Sequence, residues 1–479
     1  MTTASYFWHD YETFGANPRL DRPAQFAGIR TDAAFEPIGD PVDFYCQPIE
    51  DLLPQPEACL ITGITPQIAA ERGLPEPEFI QRVLAELGTP KTCAVGYNSL
   101  RFDDEVTRHT AWRNFHDPYA REWQQGCSRW DLIDTVRMTY ALRPDGINWP
   151  QRADGKPSFR LEDLAKANGL LHEQAHDALS DVRATIGLAK LIRGAQPKLF
   201  DWAISHRDKQ SAWAQLDLER RTPVLHVSEK FPAELGCLSL IMPLLRHPTN
   251  KNAVICYDLR HDPGEMLALP AEDIHERLFT PSADLPEGVQ RAALKAVHAN
   301  KCPVLAPVKT LNDEQAARLQ LDLDLCRRHW KQIDEQLESL LPKIAEVFSL
   351  GEFADQADPE QDLYGGFVSD GDRKLCEQIL ALEPWAIEGF EPAFADRRLD
   401  ELWFRYRARH FPETLNPPER DEWQNWRAKR LGFAPDGGLA MDDYQALLQA
   451  LKSQLKAPEQ QQILNALEDW GARLAKYLD

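Results

Sequence analysis

The alternation of apolar and polar positions predicts an α/β arrangement in the first part of the chain. Short apolar runs predict strands at residues 6–9, 25–31, 41–46, 92–97 and 128–132. Later in the same region, apolar residues recur at the spacing of one buried helix face, at Leu179, Val182, Ile186 and Ala189. Since strands that alternate with helices are typical of α/β domains, we place a first domain at residues 1–195, ended by the break at 194–197.

The pattern changes twice further along the chain. From about residue 223 to 311, short β-rich runs such as 238–245 and 253–259 are separated by turn residues, which predicts a small barrel or sheet; helices are expected at 314–348. Residues 351–362 are acidic and without apolar periodicity, so we interpret them as a linker. The remainder is predicted to be helical, with Leu399, Leu402, Trp403 and Tyr406 on one apolar face. We therefore expect domains at 196–350 and 351–479.

Length and composition bound the class of protein. With 479 residues, the chain exceeds what one hydrophobic core supports, so two or three domains are expected. The 43% hydrophobic and 27% charged fractions are typical of a soluble globular protein, and no apolar run reaches the length of a membrane span. The first residues lack the basic start and apolar core of a secretory signal. We therefore expect a cytoplasmic protein without membrane attachment.

Cysteine content and net charge narrow the chemistry. Nine cysteines occur without any Cys-x-x-Cys pair, so neither a disulfide framework nor a structural zinc site is expected. A net charge of −21 argues against a nucleic-acid partner, unless the acidic residues are spread over the outer surface while one groove stays neutral or basic. Some of the carboxylates would then serve to hold cations.

Acidic residues follow two of the predicted strands. Asp10 and Glu12, at the end of the first strand, are two residues apart and would share a strand face. Because close carboxylates repel, this spacing favours a divalent cation between them, although alone it is also typical of a solvated acidic turn. Asp103 and Asp104 follow the fourth strand, where a strand-to-helix turn would direct a carboxylate across the end of the sheet. Taken alone, they would equally complement a helix N-terminus.

A histidine and a further acid begin the helix predicted after the fifth strand. His176 lies at or just before the helix start, and Asp181 lies in its first turns. Asp181 would add one carboxylate to the same end of the sheet. A lone surface histidine is more often structural, but one near a cation site is suited to act as a general base near neutral pH.

These three elements, in this order, resemble the motifs of the DEDDh 3′→5′ exonucleases: Asp10-x-Glu12, Asn98 to Asp103, and His176-x-x-x-x-Asp181. Longer stretches are similar to the bacterial exonuclease I family in particular, at residues 97–98, 101–106, 129–132, 140–144, 158–162, 300–305 and 406–409. The resemblance covers nearly the whole chain and is loosest at 433–443. It implies an RNase H-like mixed sheet in the α/β exonuclease domain, then an SH3-like β domain and an all-α C-terminal domain.

The resemblance also implies an activity. The chain would hydrolyse single-stranded DNA from its 3′ end to nucleoside 5′-monophosphates by a two-metal-ion mechanism, in DNA repair and recombination. Asp10, Glu12, Asp103 and Asp181 would hold the metals, and His176 would accept the proton of the attacking water. Ligands that are all oxygen favour two Mg²⁺ per site, or Mn²⁺, over zinc. No nucleophile elbow, Walker loop or Rossmann fingerprint suggests another chemistry.

Arginines and aromatics interleave between residues 101 and 143. This region holds seven arginines and seven acids, so its net charge is zero within a chain of −21. Guanidinium groups on phosphates and bases on aromatic rings hold single strands without sequence preference. The tryptophans in this region are Trp112, Trp123 and Trp130, and about half of them are nevertheless expected to pack in the core instead of binding DNA. We expect the following residues to bind substrate: Glu12, Asn98, Arg108, Tyr119, Trp123, Arg137 and Arg160.

The resemblance further implies a protein partner, the acidic C-terminal tail of single-stranded DNA-binding protein, for which Arg318, Arg327 and Arg328 are candidates. A monomer is expected. Two other functions are open at this point. A DEDDh ribonuclease or proofreading subunit would share the three motifs, although both usually lack the later domains. An inert adaptor on a degenerate nuclease fold would usually have lost a metal ligand, whereas all four carboxylates and His176 are present.

Overall fold

A mixed five-stranded sheet forms the first part of the fold. The computed structural model describes residues 4–170, 177–350, 358–434 and 437–478. The strands are β1 (Ser5–Thr13), β2 (Pro23–Thr31), β3 (Val42–Tyr45), β4 (Thr92–Gly96) and β5 (Ser128–Asp131), in the order β3-β2-β1-β4-β5. β1 is antiparallel to β2 and parallel to β4. All five predicted strands are confirmed, but β1 extends to Thr13, so Asp10 and Glu12 lie within the strand.

Helices follow the strands of this sheet in sequence. They are α1 (Pro56–Thr62), α2 (Pro66–Arg72), α3 (Glu76–Leu87), α4 (Asp103–Arg113), α5 (Leu132–Leu142), α6 (Leu161–Ala167) and α7 (Ala178–Ala195). Several begin at side chains that accept from free backbone N–H groups, as Thr65 does for α2. The apolar face of α3 packs Phe79 and Val83 into a core with Phe7 and Phe26 of the sheet.

An antiparallel sheet follows, as the β-rich pattern predicted. Its strands are β6 (Val224–Val227), β7 (Leu238–Arg246), β8 (Ala253–Asp258), β9 (Leu294–His298) and β10 (Leu305–Pro307), in the order β10-β6-β7-β8-β9. The accompanying helices are α8 (Pro197–Ser205), α9 (Lys209–Gln215), α10 (Gly264–Ala268), α11 (Ala271–Phe279), α12 (Asp313–Arg318), α13 (Leu323–Asp334) and α14 (Leu337–Val347). Met242, Ile255 and Ile344 are among the residues of their shared core.

The last part of the chain is helical, as predicted. It contains α15 (Asp370–Leu380), α16 (Arg397–His410), α17 (Pro417–Phe433), α18 (Met441–Gln454) and α19 (Pro458–Ala475). Asn416 begins α17 with a capping box, in which its side chain accepts from Glu419 N and the Glu419 side chain accepts from the Asn416 N–H. No helix in the described ranges is both long and apolar enough to cross a membrane.

Packing groups the chain into two compact units that do not follow the order of the sequence. Unit 1 consists of residues 1–129, 172–183 and 354–479, and unit 2 of residues 130–171 and 184–353. The exonuclease motifs and the C-terminal helices therefore share one unit. The domain boundaries expected from the sequence, 1–195, 196–350 and 351–479, stay a prediction.

Buried ion pairs join the C-terminal segment to the rest of unit 1. Glu360 is fully buried and accepts from Arg22 at 2.5 Å; Arg409 lies at 2.5 Å and Arg430 at 3.3 Å from its carboxylate. Arg409 also donates to the buried Asp51 at 2.7 and 2.9 Å. The linker predicted at 351–362 is therefore wrong for residues 358–362, where the acidic side chains are internal ion-pair partners. Residues 351–357 lie outside the described part of the chain.

Candidate active site

Two of the candidate carboxylates project from one face of β1. Asp10 pairs with Ala27 and Glu12 with Gln25 in the antiparallel register with β2. Because strand side chains alternate between faces, this two-residue spacing directs both carboxylates to the same side. Both residues are half-buried. The sequence prediction that they share a face is confirmed.

The other two carboxylates come from the starts of helices. Asp103 is the first residue of α4, and its Oδ1 accepts from the Tyr11 N–H, between Asp10 and Glu12, at 3.1 Å. Asp181 lies in the first turn of α7. Carboxylate oxygens of Asp10, Glu12 and Asp181 all lie within 4.8 Å of one another. The structure thus brings together four acids from three segments that are far apart in sequence.

A second set of contacts fixes α4 against β1. The Tyr11 hydroxyl hydrogen-bonds to Thr107 Oγ1 at 3.0 Å, and Thr107 Oγ1 in turn donates to the carbonyl oxygen of Asp103 at 2.8 Å. All three residues are buried. The Asp103 carboxylate is therefore held beside β1 by both its side chain and its backbone.

Burial and mutual repulsion strongly perturb these acids. Burial raises the pKa of Asp10 well above its ordinary value, and the three neighbouring carboxylates raise it further. Burial, followed by repulsion from Asp181, raises the pKa of Glu12 to about 8. A divalent cation would relieve this repulsion, and carboxylate oxygens are the donors that Mg²⁺ and Mn²⁺ prefer. The donor set therefore fits a hard divalent metal.

Two polar residues beside the cluster were not identified from the sequence. Gln25, buried on β2 opposite Glu12, donates from Nε2 to Asp43 at 2.8 Å and to Asp177 at 3.3 Å. Asp177 also accepts from the Ser180 N–H at the start of α7. A single glutamine within the otherwise apolar stretch 23–29 of β2 was the available signal. His176, the predicted general base, lies outside the described residues.

The expected substrate-binding residues of unit 1 differ in exposure. Trp123 is 65% exposed and Tyr119 is 36% exposed, whereas Arg108 is buried. The Arg108 guanidinium donates to Glu105 at 2.6 Å and to Glu122 at 2.8 and 3.1 Å. Asn98 lies between β4 and α4 with φ of 63°, a left-handed conformation that asparagine tolerates.

The tryptophans of this region, and the expected substrate-binding arginines of unit 2, also differ in exposure. Trp112 and Trp130 are buried, which confirms core packing for part of the tryptophan set. Arg137 is buried and donates to Asp134 at 2.6 Å. The Arg160 side chain is 75% exposed, with Glu162 at 3.8 Å. Of the two arginines, Arg160 is the one open to a phosphate.

Comparison with known proteins covers nearly the whole chain. Three family models match: Exonuclease at residues 7–189, Exonuclease I SH3-like domain at 207–350, and Exonuclease I C-terminal domain at 357–474. Exodeoxyribonuclease I of Escherichia coli strain K12 is 47% identical over 449 residues, 93% of this chain and 94% of its own. These descriptions confirm the fold class expected from the sequence, an exonuclease domain followed by SH3-like and C-terminal domains.

Solved structures agree closely with this one. A moderately thermophilic exonuclease I from Methylocaldum szegediense matches with a TM-score of 0.94 and 50% identity, over 98% of this chain and 100% of that chain. E. coli exonuclease I in complex with a dA16 oligonucleotide matches with a TM-score of 0.94 and 45% identity, over 98% and 100% of the two chains.

Proposed function

The chain belongs to the exonuclease I family, and from this premise we propose that it degrades single-stranded DNA from the 3′ end, releasing nucleoside 5′-monophosphates. The observation that carries the proposal is the convergence of Asp10, Glu12 and Asp181 oxygens within 4.8 Å, with Asp103 held beside them. Four half-buried or buried acids in one cluster repel one another without a cation, so the arrangement supports a metal site for phosphodiester hydrolysis. The E. coli relative was crystallised with an oligonucleotide, which supports single-stranded DNA as the substrate.

Asp10, Glu12, Asp103 and Asp181 would hold two Mg²⁺ ions, with Mn²⁺ as the alternative. When bound, such a pair supplies a nucleophilic water at neutral pH and stabilises charge on the departing 3′ oxygen. A zinc-bound form of the E. coli enzyme with single-stranded DNA supports a divalent cation in the family. In this chain, the Tyr11 N–H keeps the Asp103 carboxylate directed toward the cluster.

His176 is the proposed acceptor of the proton from the attacking water. Its role rests on the motif His176-x-x-x-x-Asp181, because the residue itself lies outside the described part of the chain. The residue that follows it, Asp177, is held by Gln25 and caps the start of α7. An imidazole with an ordinary pKa accepts protons near neutral pH, which suits this task.

Single-stranded DNA would be held by stacking and by charge. Tyr119 and Trp123 expose their rings, and each base stacked on an aromatic ring contributes about 1–3 kcal/mol. Arg108 lies under the Tyr119 ring, 5.4 Å from its centre, so it would strengthen that contact through its charge. Arg160 would bind phosphate directly. Asn98, Glu12 and Arg137 complete the proposed substrate-binding set.

The proposal includes a partner and a cellular role. A solved structure of SSB/Exonuclease I in complex with an inhibitor supports single-stranded DNA-binding protein as a partner, and the proposed ligand is its acidic C-terminal tail. Arg327 is a candidate contact, because its side chain is 76% exposed, with one ion pair to Asp324. Arg318 instead donates to the carbonyl oxygens of Tyr140 and Ala141 at 2.7 and 2.6 Å. Arg328 stays a candidate from the sequence. We also propose a cytoplasmic monomer that acts in DNA repair and recombination.

Digestion of end-labelled oligonucleotides tests this function. With Mg²⁺, a 5′-labelled single strand should shorten progressively, whereas a 3′-labelled strand should release labelled mononucleotide at once; chelator should stop both reactions. Asp181→Ala should abolish hydrolysis and leave DNA binding in chelator largely intact. Hydrolysis unaffected by this substitution would refute the assignment of the site.

The ribonuclease alternative is separated by a second substrate. Single-stranded DNA and RNA of one sequence differ in the 2′-hydroxyl, which a DNA-specific groove excludes and an RNA-processing groove contacts. We expect faster digestion of the DNA strand. Faster digestion of RNA would reverse the choice of substrate while keeping the chemistry.

A further inference from the structure

Residues 119–123, which we call the aromatic segment, include both solvent-exposed and buried side chains. Its sequence is Tyr-Ala-Arg-Glu-Trp. The two aromatic residues at its ends are 36% and 65% exposed, whereas Arg121 is 3% exposed and the Glu122 side chain 10%. The rings that are proposed to stack on DNA therefore face outward, and two charged side chains are buried beneath them.

The buried arginine binds the first turn of α4, the helix that begins with the metal-ligand candidate Asp103. Arg121 Nη2 donates to Asp104 Oδ1 at 2.5 Å, and Arg129 Nη1 donates to Asp104 Oδ2 at 2.5 Å. Burial alone would raise the pKa of Asp104, but these two guanidinium groups hold it well below its ordinary value. The Asp104 carboxylate is therefore charged and paired on both oxygens.

The buried glutamate extends these contacts along the same helix. Glu122 Oε1 accepts from Arg108 Nε at 2.8 Å, and Glu122 Oε2 lies 2.9 Å from Arg129 Nη2. Arg129 thus bridges Asp104 and Glu122 with the two arms of one guanidinium. Since Asp104 and Arg108 are one turn apart on α4, the aromatic segment is bound to the helix at two successive turns.

We propose that Asp104, Arg121, Glu122 and Arg129, the α4 network, are positioning residues that hold the aromatic segment at a fixed distance from Asp103. The inference rests on the proposed function, because it assigns the segment to the path of the DNA strand. Moving the segment relative to α4 would separate buried ion pairs, which is far costlier than separating surface pairs. A strand stacked on the segment is therefore presented to the carboxylates at a constant spacing.

The experiment compares a long and a minimal substrate. Oligothymidylate reaches both the aromatic segment and the carboxylates, whereas the p-nitrophenyl ester of thymidine 5′-monophosphate carries one nucleotide and reports on the carboxylates alone. The network variants are Glu122→Gln, which removes the charge at nearly constant shape, and Arg129→Lys, which keeps the charge but loses the two-armed bridge. Trp123→Ala removes a stacking ring directly. The matched control is Arg82→Gln, which breaks an exposed ion pair on α3.

Both network variants should raise KM for oligothymidylate by about fivefold to about 150-fold, the range that a stacked base contributes. The affinity of these variants for the same strand in chelator should fall in parallel. Their kcat on the ester should change by less than about twofold. The control Arg82→Gln should change by less than about twofold on both substrates. Trp123→Ala should reproduce the network variants. A KM within twofold of wild type, parallel losses on both substrates, or no effect of Trp123→Ala would each overturn the proposal. Wild-type protein that leaves oligothymidylate intact with Mg²⁺ would refute the proposed function itself, and the network role with it.

Discussion

Replacing Glu360 with glutamine should destabilise unit 1 more than any surface substitution. Glu360 is fully buried, and its carboxylate lies 2.5 Å from both Arg22 and Arg409, with Arg430 at 3.3 Å and Arg405 at 3.7 Å. Glu360→Gln keeps the shape but leaves these arginines without their shared anion. Removing one partner of a buried ion pair costs about 3–5 kcal/mol. At about 2–4 °C per kcal/mol, Tm should fall by about 6–20 °C.

Thermal unfolding followed by near-UV circular dichroism measures this shift, because unit 1 holds tryptophans that lose their fixed packing on unfolding. The matched control is Glu468→Gln, which breaks an ion pair to Lys452 of 2.6 Å whose glutamate side chain is 61% exposed. An exposed pair contributes about 0–1 kcal/mol, so Tm should fall by at most about 4 °C. If Glu360→Gln lowered Tm no further than this control, the buried ion pairs would not hold the C-terminal segment in place.

Three further predictions concern pH, metal and packing. The pKa of Glu76 is lowered to about 2, because Arg113 and Arg22 outweigh the effect of its burial, so the ionised carboxylate stabilises the fold above the unfolded pKa and this stabilisation disappears as the pH falls toward 2. In circular dichroism melts, Glu76→Gln should lower Tm at pH 7 and approach wild type near pH 2 to 3. A Tm difference that stays constant with pH would contradict this. Because burial and Asp181 raise the pKa of Glu12 to about 8, Mg²⁺ must displace a proton from this carboxyl group. Calorimetry should therefore show proton release on Mg²⁺ binding, and an Mg²⁺ affinity that rises by up to about tenfold per pH unit between pH 6 and 8. Binding without proton release would contradict the raised pKa of Glu12. In Gly471→Ala, the added Cβ would lie 2.8 Å from the buried Tyr444 ring, so the free energy of unfolding in urea titrations should fall by about 1–3 kcal/mol. The control Gly194→Ala, whose Cβ would meet no atom within 4 Å, should be neutral or stabilising. Equal effects of the two substitutions would refute the packing argument.

Local patterns predicted the fold well where one residue's environment depends on its sequence neighbours. Strand alternation and helix spacing identified β1 to β5, β7, β8 and the apolar faces of α7 and α16. The short strands β6, β9 and β10 were not identified as separate elements, since runs of three to five residues carry too little periodicity. The acidic stretch at 358–362 was interpreted as a linker because its partners, such as Arg409 and Arg430, lie far away in the sequence.

The convergence of the carboxylates was predictable because they lie near the end of β1 and in the first turns of α4 and α7, positions that topology brings together. The reasoning from charge was less successful. Zero net charge between residues 101 and 143 suggested a neutral, DNA-facing groove, but the arginines at 108, 121 and 129 are bound to acids of the same region, namely Asp104, Glu105 and Glu122. Equal numbers of opposite charges therefore indicate internal pairing here. Composition alone could not distinguish a neutral, DNA-facing groove from internal ion pairing, because pairing depends on distances in the folded chain.

The order in which the segments of unit 1 occur in the chain affects how the protein is made. A ribosome releases Asp10, Glu12 and Asp103 early, but Glu360, which neutralises Arg22, emerges only after all of unit 2 has been synthesised. Until α17 to α19 have also been synthesised, the nascent half lacks the helices that share a core with Phe14 and Cys59. Translation that stops early would therefore leave an incomplete, aggregation-prone fragment in place of a working nuclease, so the potential to degrade DNA is coupled to the finishing of the polypeptide.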